Sequence, residues 1–440
     1  MVGIGSKTGH FRWAIVATLC AVALVLYVDR INIAIAAPHI AHELGLSPQA
    51  LGRVLSAFLF GYAAGLVPGG WLADRFGAYR VLTAAGIGWV LLTLLIACIP
   101  GVQKSNEATI ETLLVVGRFA LGLAEACAYP AFARALANWM RRSERAIASG
   151  LIHLGSNMGG VLTPLFISSI IGHSNWRYGF LFSAIFTLAV ILGWWLIGSN
   201  DPESSRRVSD NERLFIALGR GEEVPSKPDV SWYRRLSRSR EVYLLCASCF
   251  FLGISGFVFV TWFYTYFVEV RGASSLYSAV TTSMTYLTAA VGALTGGILC
   301  DASVRKWGSP WGRRLVPLVA MTVSGLVCIA APMIRDNTVA AMLFSLAAGL
   351  QVVPAPAFWA TIIDVTRRGP ALVGGLMNGS GNLGAALGTI LFPWLVSAVG
   401  WQIALQLAGS TGIVCGLLWL LIDSSRQIDT APPTPFAVSA

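Results

Sequence analysis

The sequence predicts an all-α membrane protein of twelve transmembrane helices, arranged as two six-helix halves. Three observations lead there: a composition unsuited to water, apolar runs of spanning length, and a repeat between the halves. Hydrophobic residues make up 55% of the 440 and charged residues only 12%, with a mean hydropathy of +0.68. A soluble domain carries roughly 25% charged residues, so in water much of this apolar surface would have nowhere to go. A helix needs roughly 20 apolar residues to cross a hydrocarbon core of about 30 Å. Runs of that length fall at 13–38, 49–71, 80–99, 110–139, 146–171 and 177–198, and again at 242–268, 276–300, 315–334, 337–363, 371–399 and 402–422. A transmembrane barrel would show alternating segments of about ten residues instead, and none recur here.

The runs divide the chain into an N-terminal six-helix bundle (1–198), a cytoplasmic linker (199–241) and a C-terminal six-helix bundle (242–440). The first run is too long for the core of a signal peptide and carries Asp29 and Arg30, so it is expected to remain in the mature protein. Gly is abundant, with 46 residues, as expected where helices approach closely in lipid. The linker mixes Asp201, Glu203, Glu222 and Glu223 with many Arg residues, and reads as a solvated connection with a short surface helix. The eight cysteines lie mostly inside the runs. Cys246 and Cys249 form a CxxC, but no second pair completes a metal site. Helix packing is their expected role, and no metal or cofactor is expected.

The net charge of +10 finds its explanation in topology. On one side of the membrane lie Lys7, Arg12, Arg75, Arg80, Arg141, Arg142, Arg145, the basic residues of the linker, Arg305, Lys306, Arg313, Arg314, Arg367, Arg368 and Arg426. On the other lie only Lys104, Arg177, Arg271 and Arg335. The division is 23 against 4, and the positive-inside rule assigns the rich side to the cytoplasm. Both termini are thus expected inside a multi-pass cell (inner) membrane protein, and no nucleic-acid partner is called for.

An internal repeat follows from two independent matches. Gly69-Gly70-Trp71-Leu72-Ala73-Asp74-Arg75 after the second run corresponds to Gly296-Gly297-Ile298-Leu299-Cys300-Asp301 after the eighth, an offset of about 227. Gly150-Leu151-Ile152-His153 with Asn157 in the fifth run corresponds to Gly375-Leu376-Met377-Asn378 with Asn382 in the eleventh, at nearly the same offset. The chain reads as a parallel repeat of two six-helix halves around a central cavity.

GGWLADRFG (69–77) resembles the signature of the major facilitator superfamily. YVDRINIAIA (27–36), PGGWLADRFG (68–77), GRFALGLAEACAYP (117–130) and RSERAIASG (142–150) resemble its anion:cation symporter family, and FWATIIDV (358–365) and NGSGNLG (378–384) extend the likeness into the second half. It covers nearly the whole chain except 199–241 and the tail. That family contains bacterial sugar-acid and organic-acid permeases and sialin-type carriers. The resemblance therefore implies a proton-coupled symporter of a small organic anion, working by alternating access.

Charge inside the spans locates the site. An ionisable group at the bilayer centre costs several kcal/mol and is by default a functional candidate. Asp29 and Arg30 lie on the first run, Arg118 and Glu125 on the fourth. Arg118 and Glu125 are two turns apart on one face, about 10 Å along the axis, so their partners come from another helix. By topology Asp29, Arg30 and Arg118 lie at similar depth. An Asp29–Arg118 contact is expected, with Arg30 between Glu125 and the cavity. Proton uptake by Glu125 or Asp29 would free Arg30 for the carboxylate of a substrate. The resemblance implies the same roles for these four; a purely structural cluster holding the first and fourth helices together is the alternative.

Further polar candidates for substrate binding are Tyr27, Tyr62, His153, Asn157, Asn378, Asn382 and Trp262, the last with Tyr264 and Tyr266 as an aromatic wall, gate or interfacial belt. Arg53, near the outer mouth, reads as an anion attractor or a surface charge. Asp74, Arg75, Asp301 and Arg305 lie at cytoplasmic helix ends; the resemblance implies conformational latches there. The expected partners are a small organic anion, protons and the bilayer, with a proton gradient as driving force and a monomeric carrier. An aromatic or dicarboxylic acid carrier, a proton-independent exchanger or uniporter, and a transport-inactive sensor are the competing readings. A membrane enzyme is not expected, because HExxH, GxSxG, P-loop and paired metal ligands are all missing from the sequence.

Overall fold

The computed structural model describes residues 9–100, 106–141, 144–220, 230–366 and 370–426. Its described secondary structure is helical throughout: α1 (Phe11–Leu44), α2 (Pro48–Phe76), α3 (Ala78–Ala97), α4 (Glu107–Glu125), α5 (Ala128–Trp139), α6 (Arg145–His173), α7 (Trp176–Ile197), α8 (Asp210–Arg220), α9 (Val230–Leu236), α10 (Arg240–Thr261), α11 (Phe263–Thr265), α12 (Ser275–Ala330), α13 (Asn337–Val352), α14 (Ala355–Val365) and α15 (Pro370–Leu418). Ten described helices are long and apolar enough to cross a membrane. One of these, within α15, is two crossings joined at Gly400. The charge-bearing α4, continued by α5, supplies a further crossing, so the twelve expected spans are all present.

Prolines and glycines set the interruptions. The fourth span breaks between Glu125 and Ala128, and the tenth between Val352 and Ala355. Pro130 and Pro356 each lack an N–H and crowd the carbonyl four residues back, which falls at Ala126 and at Val352. The two breaks are thus one feature of the repeat, written twice. Gly77, Gly308 and Gly400 turn the chain between consecutive spans with φ of 83°, 76° and 80° and extended ψ, a region essentially closed to residues with a Cβ.

Two compact units emerge. The first comprises Met1–Glu223, Phe257–Leu287 and Thr389–Trp401; the second comprises Val224–Gly256, Thr288–Gly388 and Gln402–Ala440. In the first, α1 packs against α6 and α7, α2 against α4, and α3 against α4 and α7. Small residues bring these backbones together. A Cβ on Gly61 would run into the Phe119 carbonyl, one on Gly65 into Ala126, one on Gly69 into Cys127 and one on Gly122 into the Phe58 carbonyl. In the second, Gly292 and Gly296 meet Gly349 and Val353 in the same manner, while Gly253 and Gly384 bring α10 and α15 together. Gly65 and Gly69 thus recur as Gly292 and Gly296 at the offset of the sequence repeat. Large apolar residues such as Leu95, Leu196 and Leu294 stand exposed, as a lipid-facing surface requires.

Gly122 is among the tightest of these positions, because its neighbour is backbone and cannot give way. Gly122→Leu is expected to separate α2 from α4 and to lower the thermal unfolding midpoint of the detergent-purified protein, the loss matching an overpacked core at about 1–3 kcal/mol. The same change at half-buried Gly88, which has open space where a Cβ would go, should leave the midpoint in place.

The stretch 199–241 differs from a uniformly solvated linker. On the first unit, Glu212 of α8 is buried and accepts from the backbone N–H groups of Phe11 (3.2 Å) and Arg12 (3.1 Å). It thereby caps α1, whose own N-cap residue, His10, offers no side-chain bond. Arg12 is buried with it and pairs with both Glu144 (3.0 Å) and Glu212 (3.2 Å). On the second unit, Trp232 of α9 lies fully buried beside Leu245, Phe358 and Trp419. Glu222 and Glu223 lie outside the described residues. Removing the cap by Glu212→Ala should destabilise the first unit by about 2 kcal/mol, the cost of leaving buried donors unpaired; limited proteolysis at the start of α1 is the readout, and unchanged protection would contradict the capping role.

Candidate functional site

Four charged side chains meet inside the first unit, and they meet in an unequal way. Successive residues on a helix diverge by about 100°, so Asp29 and Arg30 leave α1 in different directions. The Asp29 carboxylate is buried and accepts from the Thr187 hydroxyl on α7 at 3.1 Å. Arg30 reaches Glu125 at the end of α4, with Nη2 at 3.2 Å from Oε2. Arg118 donates to the backbone carbonyl of Asp29 at 3.4 Å. The contact expected between Asp29 and Arg118 therefore exists, but through the main chain and not the carboxylate.

Exposure separates the four further. Glu125 is completely enclosed, Asp29 and Arg118 are each 2% exposed, and the Arg30 side chain keeps 13%. Arg30 is thus the most accessible of the four. Its guanidinium is framed by aromatic faces, 5.3 Å from the centre of Tyr27, 5.1 Å from Phe58 and 4.7 Å from Tyr62. Rings placed this way hold a desolvated cation through their quadrupoles while leaving its N–H edge available. Arg118 shares Phe58 at 4.7 Å. The buried atoms Asp29 Oδ1, Arg30 Nε, Arg118 Nε and Glu125 Oε1 have no hydrogen-bond partner within the described protein, so the cluster keeps unused donors and acceptors.

The neighbouring polar residues are ordered by their own helices. Tyr129, one turn beyond Glu125, shares a 2.7 Å hydrogen bond with Ser156 and packs its ring 5.7 Å from that of His153. It lies within electrostatic reach of Arg30, Tyr27 and Tyr62. His153 itself is exposed and bonds back to the Ser149 carbonyl, while Asn157 donates to the His153 carbonyl at 3.0 Å. In the second unit, Asn382 donates to both the carbonyl and the side-chain oxygen of Asn378, at 2.9 and 3.1 Å. The repeat-related pairs thus share an i, i+4 bond.

Trp262 occupies a different place. Its indole N–H donates to the Thr389 carbonyl at 3.3 Å, and its ring packs against Phe392 and Trp401 at 6.0 and 6.4 Å. This aromatic group borders a cavity of about 370 Å³ whose lining includes His42, Glu269 and Ser397 but none of the four clustered charges. Tyr266 joins it through Trp401 at 5.6 Å. Arg53 is tied to Glu111 in a two-point ion pair, so its charge is already matched. Asp301 and Arg305 stand exposed on α12, and Arg75 leans over Trp71 and Phe76 of its own helix, 5.8 Å from each ring. The Asp74 side chain lies outside the described residues, as do Arg367 and Arg368. Among the described residues, the ion pairs near these helix ends include Arg313–Asp364 at 3.1 Å and Arg12 with its two glutamates.

Sequence reasoning missed Thr187, Phe58 and Tyr129 as members of the site. Tyr129 stands four residues after Glu125 and carried a readable i, i+4 signal; Thr187 carried none, because its role depends on which helix lies beside α1.

Comparison with known proteins decides the family. The model of the Major Facilitator Superfamily matches residues 19–335 and again 306–438. The chain belongs to the Major Facilitator Superfamily. Its curated relatives are transporters and not enzymes. The "Probable sulfoacetate transporter" of Cupriavidus necator is 30% identical over 432 residues, covering 96% of each chain. The "Probable galactarate/D-glucarate transporter" of Bacillus subtilis is 30% identical over 439 residues, covering 95% of this chain and 93% of the relative. Among solved structures, a bacterial homologue of the human lysosomal transporter Spinster, inward-facing and occupied, superimposes with a TM-score of 0.75 over 95% of this chain and 97% of its own at 18% identity. The D-xylose-proton symporter does so at 0.69, over 94% and 99%, with 16% identity. These two share the fold.

Proposed function

We propose that this chain is a secondary active transporter of the cell (inner) membrane, which binds a small organic anion at Arg30 and carries it together with a proton. The observation behind this reading is the Arg30–Glu125 pair: a buried carboxylate holds the one clustered cation that retains exposure, and aromatic rings hold that cation in place. With Glu125 ionised, the guanidinium is occupied. With Glu125 protonated, it is free to pair with an external oxyanion, and a bound anion in turn favours the protonated acid. Cargo and proton thus bind together, which is the linkage that symport requires. Asp29 offers a second protonation site on another face of α1. Alternating access then exposes the loaded site to either side, with Asp74, Arg75, Asp301 and Arg305 as latches and both termini in the cytoplasm.

The names of the relatives support a dicarboxylic sugar acid or a sulfonated carboxylate as cargo, and a hexonate or hexuronate fits the same chemistry. A proton-independent exchanger is the competing reading, in which Glu125 serves only to balance Arg30. Reconstituted protein, offered D-glucarate, D-galactarate, D-galactonate and sulfoacetate under an inward proton gradient, should accumulate at least one. If none moves, the anion reading fails. Equal uptake with and without the gradient would favour the exchanger.

A further inference from the structure

The eighth span brings a phenol to this site that sequence pattern did not single out. Within the first unit, the Ser283 hydroxyl on α12 donates to the Val161 carbonyl of α6 at 2.7 Å and fixes this turn of the helix. One turn further on, the Tyr286 ring lies over Gly160, where a Cβ would come within 2.5 Å of ring carbon Cδ1. Glycine is what admits the ring this close. The residue is only 9% exposed, and its hydroxyl has no hydrogen-bond partner within the described protein. The adjacent Gly159 packs on Tyr27, where a Cβ would come within 2.9 Å of the Tyr27 Cβ, and the Tyr27 ring lies against the Arg30 guanidinium. Buried hydroxyls in native proteins are almost always bonded, so an unpartnered one beside a functional cation calls for an explanation. The apolar alternative, phenylalanine, would pack on Gly160 equally well and leave no orphan.

From this geometry we infer that Tyr286 is a cargo-binding residue, donating its hydroxyl to one oxygen of the oxyanion head group whose other oxygen pairs with Arg30. The assignment rests on reading Arg30 as the anion-binding group. It adds a donor from the eighth span to a site otherwise built from the first, second, fourth and sixth. The arrangement suits any head group with two or more acceptor oxygens, carboxylate or sulfonate alike, because a phenol and a guanidinium both only donate to it. The hydroxyl pattern of the rest of the cargo is left to other residues.

The test is equilibrium binding to the full-length purified protein, with D-glucarate, D-galactonate and sulfoacetate as probes. Tyr286→Phe keeps the ring on Gly160, so its melting temperature should equal that of the native protein. Its Kd should rise roughly ten- to hundredfold for every probe the native protein binds, the loss expected for a hydrogen bond to a charged acceptor. Unchanged Kd in Tyr286→Phe, with binding abolished in Arg30→Lys, would overturn the assignment while leaving the anion site at Arg30 intact. A loss confined to the hydroxylated probes would also overturn it, moving Tyr286 from the head group to the chain. Failure of the native protein to bind any probe, or full binding in Arg30→Lys, would instead sink the anion-site reading and this assignment with it.

Discussion

Glu125→Gln is expected to abolish proton-driven accumulation while leaving exchange of cargo across the membrane in place. Gln keeps the shape of the side chain and can still offer an oxygen to Arg30, but it carries no titratable proton. For an electroneutral one-proton symporter, a gradient of one pH unit sustains an accumulation of about tenfold, since one unit corresponds to about 1.4 kcal/mol. The variant should stay near equal concentrations inside and out. Counterflow, in which preloaded unlabelled cargo drives entry of labelled cargo, needs no net proton movement and should persist. Loss of both activities together would make Glu125 a structural brace between α1 and α4. Undiminished accumulation would remove it from the coupling altogether.

The second large effect is expected at Arg30. Its guanidinium bonds Glu125 along one edge and lies against the faces of Tyr27, Phe58 and Tyr62. A lysine ammonium is a compact point charge without the planar fork, so it can neither stack in the same way nor bind an oxyanion at two points. Arg30→Lys should weaken cargo binding by about 2–5 kcal/mol, roughly a hundredfold or more, as is typical when one member of a buried charge pair is altered. Stability tells the two roles of the residue apart. Arg30→Ala leaves Glu125 enclosed without its partner and should destabilise the first unit by about 3–5 kcal/mol, whereas Arg30→Lys keeps the charge and should melt close to the native protein. Calorimetric titration and thermal unfolding on the same preparations separate these outcomes. Native affinity in Arg30→Lys would show that the anion binds elsewhere.

Much of the architecture was legible because the bilayer imposes it. Length alone placed all twelve spans, since a helix that crosses a hydrocarbon core has little freedom in size. The repeat offset was legible because small residues such as Gly69 and Gly296 are required wherever two backbones touch, and such positions tolerate few alternatives. The four charges were legible because lipid forbids them elsewhere. Their partners were harder to read. Depth along an axis follows from residue counting, which brings Asp29 and Arg118 to one level, and Arg118 does reach the Asp29 main chain. Rotation about an axis, and the identity of the next helix, do not follow from counting. Hence the expected Asp29–Arg118 contact runs through the Asp29 main chain, while the Asp29 carboxylate bonds Thr187.

The same limit explains Trp262 and the linker. An aromatic residue at a helix end fits a binding wall and an outer packing cluster equally well on sequence, and the choice depends on Phe392 and Trp401, more than a hundred residues away. Arg12 reads as an ordinary charge at a membrane face, and the stretch that holds Glu212 as a solvated connection. Only the return of α8 to the start of α1 turns them into a buried cap.

The central claim is that cargo and proton move together through the Arg30–Glu125 pair, and movement of the proton itself tests it most directly. Proteoliposomes holding a pH-sensitive dye, with no gradient imposed at the start, would be given an excess of transported acid outside. The account predicts acidification of the interior in step with cargo entry, roughly one proton for each anion, and none in Glu125→Gln. Cargo entry with the internal pH unmoved would contradict it.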